Sequence, residues 1–255
     1  MTPAVEWLIA GGAAVAGGAV NAVAGGGTLI TFPTLTALGV PAVSANITNT
    51  VALCPGYLGG ALAQRRELEG QQARARKLLL AAAVGGLLGS ILLVLSSESV
   101  FEALVPWLIL GATALLALQD RLRVWLRIGV ARNEGGTVHD PVWLPLPVFA
   151  CAIYGGYFGA GLGIMLLAVL GLCIHERLNR LNALKQVLSL VINVVAALFF
   201  VFSGKVYWGF ALVMAVGAIL GGHLGGSVAH RLDPKALRAV VGVLGTIVGV
   251  VYLVR

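Results

Sequence analysis

Long uncharged apolar runs, separated by short polar stretches, set the pattern of this chain. The segment LPLPVFACAIYGGYFGAGLGIMLLAVLGLCI (144–174) holds no charged residue, and about 20 apolar residues suffice to cross a bilayer as a helix. Runs of this kind predict helical spans at roughly 5–24, 45–64, 78–96, 101–119, 144–161, 186–203, 207–229 and 236–254. Two shorter apolar pieces remain, 28–40 and 164–174. At about 1.5 Å per residue, 11–13 residues reach only about 20 Å, short of the hydrocarbon thickness of about 30 Å. Each short piece must therefore be completed by non-helical backbone. Gly25, Gly26 and Gly27 stand before the first, and Gly159, Gly161 and Gly163 before the second, while Pro33 and Pro41 interrupt the first. The pattern predicts discontinuous helices after Gly25–Gly27 and after Gly159–Gly163.

The same pattern repeats without gaps at a spacing of 136 residues. Gly25 and Gly27 align with Gly161 and Gly163, Asn46 with Asn182, and Ala61 with Ala197. Gly85, Gly86 and Gly89 align with Gly221, Gly222 and Gly225. In a membrane chain, two like halves meeting at glycine-rich breaks suggest a carrier with a central substrate site.

Composition agrees. Apolar residues are 59% of the 255 and charged ones 11%, with a mean hydropathy of +0.96, leaving no soluble domain of useful size. The opening MTPAVEWLIA lacks a basic n-region and reads as a first helix, not a cleaved signal. Cys54, Cys151 and Cys173 lie in apolar segments without metal-ligand spacing and read as ordinary membrane-core residues.

Basic residues decide the number of crossings. Nine of the seventeen Lys and Arg flank positions 70 and 130, three (Arg177, Arg180, Lys185) follow the second short piece, and three (Arg231, Lys235, Arg238) separate the last two spans. If the short pieces do not cross, six basic residues fall outside; if both cross, fifteen lie inside and only Lys205 and Arg255 outside. Ten crossings therefore win, with both termini external. Five crossings per half is odd, so the second half enters from the opposite face. The fold class expected is an all-α polytopic membrane protein of two inverted-topology repeats, 1–120 and 141–255, joined by a cytoplasmic linker at 121–140.

A broken helix leaves unpaired N–H groups and the positive end of a helix dipole in the gap, which attracts anions. Nearby side chains share that character. Asn46, Thr48, Asn49 and Thr50 open the third crossing, and Asn182, Lys185 and Gln186 open the eighth. Under the repeat, Asn49 pairs with Lys185 and Thr50 with Gln186. These are donors or mixed donor-acceptors with one cation. All ten acidic residues fall at helix ends or in loops, whereas a cation carrier or carboxylate proton relay would usually place one mid-membrane. A small anion fits better.

Each of these residues also has a plainer reading. The repeated glycines of GGLLGS and GGHLGG read as close-packing faces. Asn46 and Asn182 can cap the helices they precede, and Lys185 can snorkel to the interface. His223, the one His well inside a span, reads either as a packed, hydrogen-bonded residue or as a group that titrates during transport. Alone it makes no enzyme site, and no cofactor is implied. The net charge of +7 follows the topology rule, so the basic residues point to orientation and anionic lipid, not nucleic acid. A homo-oligomer stays open.

The run GGGTLITFPTLTALGVPAVSANITNTVALCPGYLGGALAQRRE resembles the first-half signature of the TauE/SafE sulfite exporter family. GGYFGAGLGIMLLAVLGL and SGKVYWGFALVMAVGAILGGHLGGSVAHRL resemble its second half. The resemblance implies a bacterial inner-membrane permease for small sulfur-containing anions, such as sulfite or organosulfonates like sulfoacetate, with export the usual direction. By position it would place Gly25, Gly27, Thr28, Asn46, Thr48, Asn49, Thr50, Gly161, Gly163, Asn182, Lys185 and Gln186 around the substrate. LNALKQ departs from the small or hydroxylated residues usual there, which singles out Lys185 as the mark of a substrate subgroup. An anion channel of the same fold, or a non-transport membrane assembly component, is the competing reading.

Overall fold

A computed structural model describes residues 2–23, 26–125, 140–174, 176–228 and 234–254. Among these residues the regular structure is all helical. In the first half, α1 (Pro3–Val23), α2 (Thr28–Ala37), α3 (Ala42–Ala63), α4 (Gln72–Leu95) and α5 (Glu98–Trp125) follow in order. In the second, α6 (Pro145–Tyr157), α7 (Leu162–Cys173), α8 (Leu178–Val201), α9 (Trp208–Val228) and α10 (Pro234–Val254) follow. The starts of α8, α9 and α10 lie 136 residues after those of α3, α4 and α5. On length and composition, α1, α4, α5 and α8 can each cross a membrane, and α2 and α7 are shorter apolar helices. Exposed Leu80, Leu95, Trp107, Leu212 and Leu220 give the bundle an apolar exterior, as expected of a protein solvated by lipid.

Packing obeys the same correspondence. The most extensive interfaces are α1 on α9 and α4 on α6, which exchange under the repeat. The contacts of α3 with α9 and of α4 with α8 exchange likewise, while α3–α8 and α5–α10 map onto themselves. All six join one half to the other, so the halves interlock and are not separate bodies.

Glycine makes the two closest interfaces possible. A Cβ on Gly89 would fall 2.0 Å from the Ile153 carbonyl oxygen, and one on Gly156 would fall 2.1 Å from that of Gly86. At the exchanged interface, a Cβ on Gly221 would meet the Val15 carbonyl oxygen at 2.0 Å. Lipid tails are as apolar as leucine, so backbone approach through small residues holds such helices together. GGLLGS and the first residue of GGHLGG are packing faces.

Several expected boundaries shift. Helix α6 has 13 residues, fewer than the span expected at 144–161, because the chain leaves the helix at Phe158. Helix α8 begins at Leu178, well before the apolar run at 186, so Asn182, Lys185 and Gln186 lie within it. Gly163 is the second residue of α7, and the break itself covers Phe158–Gly161. Gly25 and most of the 121–140 linker lie outside the described residues.

Two of the basic segments meet: Arg180 Nη2 donates to the Glu69 carbonyl at 3.1 Å, which puts 65–77 and 176–180 at one end of the bundle.

Candidate functional site

The break between α6 and α7 is built by two glycines in left-handed conformation, Gly159 at φ 78° and Gly161 at φ 74°. That region excludes most side chains. The reversal lets α7 start at Leu162, and Tyr154 Oη fixes it by donating to the Ala160 carbonyl at 2.6 Å. The break between α1 and α2 ends at Gly27, whose carbonyl accepts from the Thr31 amide at 3.2 Å and from its hydroxyl at 3.1 Å. Gly27 packs so closely on α1 that an added Cβ would lie 2.3 Å from the Gly17 carbonyl oxygen.

Two helices bring the breaks together. On α5, Leu116 lies 3.4 Å from the position of a Gly26 Cβ, and Ala112 lies 3.5 Å from that of Gly161. These residues are one turn apart near the middle of a 28-residue helix. On α3, Asn46 Nδ2 donates to the carbonyl of Tyr157, the last residue of α6, at 2.8 Å. One turn further on, Asn49 Nδ2 approaches Thr28 Oγ1, at the start of α2, at 3.5 Å. A single face of α3 therefore spans both breaks. Neither Asn is a helix cap: α3 is capped at Pro41 and α8 at Arg177, leaving Asn46 and Asn182 inside their helices.

The second half repeats this arrangement with one substitution. Lys185, the counterpart of Asn49, lies along the first turn of α7, with its Cδ 3.6 Å and Nζ 3.8 Å from the position of a Gly163 Cβ. One half thus sets an amide, and the other an ammonium, beside the start of its short helix. Both helix starts carry partial positive charge.

Thr48 Oγ1 accepts from the Tyr207 amide at 3.0 Å, holding the start of α9, and Thr50 Oγ1 donates to the Asn46 carbonyl at 3.0 Å. Asn182 Nδ2 donates to Gln64 Oε1 at 3.0 Å, beyond the end of α3. Gln186 is half-buried. His223 is exposed on α9, so it is not packed inside.

Residue types that sequence reasoning passed over close the two ends. Phe32 meets Phe158 at a centroid distance of 5.5 Å and Phe101 at 6.2 Å, both edge to face. Phe101 meets Tyr157 at 5.6 Å, and Tyr252 stacks on Phe32 at 6.5 Å. This cluster touches the α4 terminus, where Ser96 Oγ lies 3.2 Å from Tyr157 Oη. At the other end of α4, Arg74 binds Asp140 through Nη2 at 2.7 Å and reaches Glu176 at 3.6 Å. Glu176 in turn holds Arg180 at 3.2 Å. Arg74 and Ser96 are separated by about 33 Å of helix at 1.5 Å per residue, and the breaks lie between them. Phe32, Phe101 and Phe158 are fully buried, whereas Asn182, Lys185 and Gln186 are half-buried. The aromatic end is thus more deeply buried than the ionic end.

Among the described residues, ten α-helices in two matching sets, an apolar exterior and paired helix breaks at mid-bundle are those of a multi-pass membrane protein of the transport class. The sequence profile of the sulfite exporter TauE/SafE family matches residues 9–252, and the chain belongs to that family. It is 25% identical over 241 residues to "Probable membrane transporter protein YfcA" of Escherichia coli strain K12, covering 92% of this chain and 84% of that protein. It is 28% identical over 226 residues to "Probable membrane transporter protein" of Haemophilus influenzae, covering 88% and 86%. A third relative, "Probable membrane transporter protein ORF9" of a Sinorhizobium species, is 25% identical over 232 residues. No solved structure matches the chain.

Proposed function

We propose that this protein is a secondary transporter, working as an exporter of a small sulfur-containing anion such as sulfite or a sulfoacetate-like organosulfonate. The observation that carries the reading is the bridging of both helix breaks by Asn46 and Asn49, with Lys185 laid along the start of α7. Main-chain N–H groups at the two helix starts hold the anion's oxygens, and Lys185 adds a full charge. Thr28 supplies a hydroxyl. Gly161 and Gly163 serve by letting backbone come near the anion, and Gly27 by letting α2 start against α1.

The protein lies in the bacterial inner membrane with both termini external, its halves inverted and its ionic end cytoplasmic. Alternating access does not require one half to rock as a block against the other, since the tightest packing joins the halves. The natural moving units are mixed, α1 with α9 and α4 with α6. Deeper burial of the aromatic end than of the ionic end corresponds to a site that loads from the cytoplasm. Outward movement of one negative charge gains about 2.3 kcal/mol per 100 mV of membrane potential, enough to drive export without a coupling ion.

Purified protein in liposomes tests this directly. Sulfite, sulfoacetate and related anions are loaded inside, and efflux is followed under an imposed potential. Saturable efflux stimulated by external counter-substrate supports a carrier. Linear flux without counterflow assigns a channel, and no flux of any of these anions removes the substrate claim.

A further inference from the structure

The anion reading leaves two atoms unexplained. Asn46 and Asn49 are 1% and 2% exposed, and the Oδ1 of each has no hydrogen-bond partner among the described residues. The Asn46 amide cannot be turned to relieve this, because the Tyr157 carbonyl opposite Nδ2 only accepts; turning the Asn49 amide would offer its Oδ1 only the Thr28 hydroxyl at 3.5 Å, beyond the usual hydrogen-bond distance. Buried acceptors are nearly always paired, and an exception calls for a reason. A fully deprotonated oxyanion supplies none. Its oxygens are acceptors too, and two acceptors set against each other repel.

Resting on the transporter reading above, we propose that the substrate is a monoanion bearing its own O–H or N–H donor, which these two carbonyl oxygens receive. The two ends of such a ligand are then read by different groups. Helix starts and Lys185 take the charged oxygens, and the Asn46–Asn49 face takes the donor. Hydrogen sulfite and hydroxyalkyl sulfonates satisfy both demands; sulfite dianion and plain alkyl sulfonates satisfy one. Asn46 and Asn49 are accordingly specificity-determining residues.

The test is calorimetric titration of the purified full-length protein with two sulfonates of equal charge and closely similar size. In 2-hydroxyethanesulfonate a hydroxyl occupies the place of the terminal methyl of 1-propanesulfonate. The proposal expects the hydroxylated anion to bind roughly tenfold tighter, the scale of one hydrogen bond to a buried acceptor. In Asn49→Leu the ratio of the two affinities should fall toward one. Equal binding of both by the wild type overturns the proposal and leaves the anion reading standing. Binding of neither overturns both. A preference seen in sodium but absent in potassium assigns the two oxygens to a bound cation and also overturns the proposal.

Discussion

The Asn46 side-chain amide donates to the Tyr157 main-chain carbonyl across 111 residues of sequence. This bond fastens the first half's third helix to the end of α6, where the second half's break begins. Its partner three residues on, Asn49, reaches the start of α2. The two breaks are thereby held to one helix face. A substrate touching both ends would feel any movement of α3.

Asn46→Asp should harm the protein more than Asn46→Ser. A carboxylate opposite the Tyr157 carbonyl places charge against an acceptor in a buried position, while Ser merely gives up a bond of about 1 kcal/mol. Thermal unfolding of the detergent-solubilised variants orders them. Equal melting temperatures would contradict the assigned geometry.

Lys185→Gln should raise KM for the transported anion by roughly tenfold, the scale of one charge-assisted bond, with membrane insertion unchanged. Thiol labelling of a reporter cysteine between α3 and α4 checks the orientation. An unchanged KM would confine Lys185 to topology.

The packing glycines separate cleanly from a control. Gly89→Ala drives a Cβ to 2.0 Å from a carbonyl oxygen, whereas at Gly111 an added Cβ meets nothing within 4 Å. Overpacking of this kind costs about 1–3 kcal/mol, so Gly89→Ala should lower folded yield and melting temperature. Gly111→Ala should leave both within error.

Phe158→Leu thins the aromatic seal at a ring that meets both Phe32 and Phe101. It should add a non-saturable anion leak to the saturable flux, because the seal depends on edge-to-face contacts that Leu cannot make. Flux that stays wholly saturable would remove the gating role.

Much of the fold was legible in the sequence because glycine and charge placement report directly on membrane constraints. Gly159 and Gly161 announced a break, and the apolar runs marked the segments that form helices. Helix starts were less legible. An apolar run marks lipid depth, while backbone hydrogen bonding continues through polar residues such as Asn182 and Lys185. The interlocking of the halves was hidden, since a repeat shows which segments are alike and not which ones pack together. Phe32, Phe101 and Phe158 were passed over because isolated aromatics in apolar runs carry no spacing signal. Asn46 was ambiguous for a different reason: a side chain that bonds 111 residues away cannot be told from a local cap without the fold.

The placement of the anion between the two breaks is most directly tested by substrate protection at Thr28. In a chain with Cys54, Cys151 and Cys173 replaced by Ala, Thr28→Cys sets a thiol at the start of α2 with little change of size. The rate of its reaction with a small thiol reagent is measured with and without a transported organosulfonate. The account predicts that the anion slows labelling, with half-protection near its KM for flux. Labelling that is unaffected at anion concentrations saturating transport would place the substrate elsewhere.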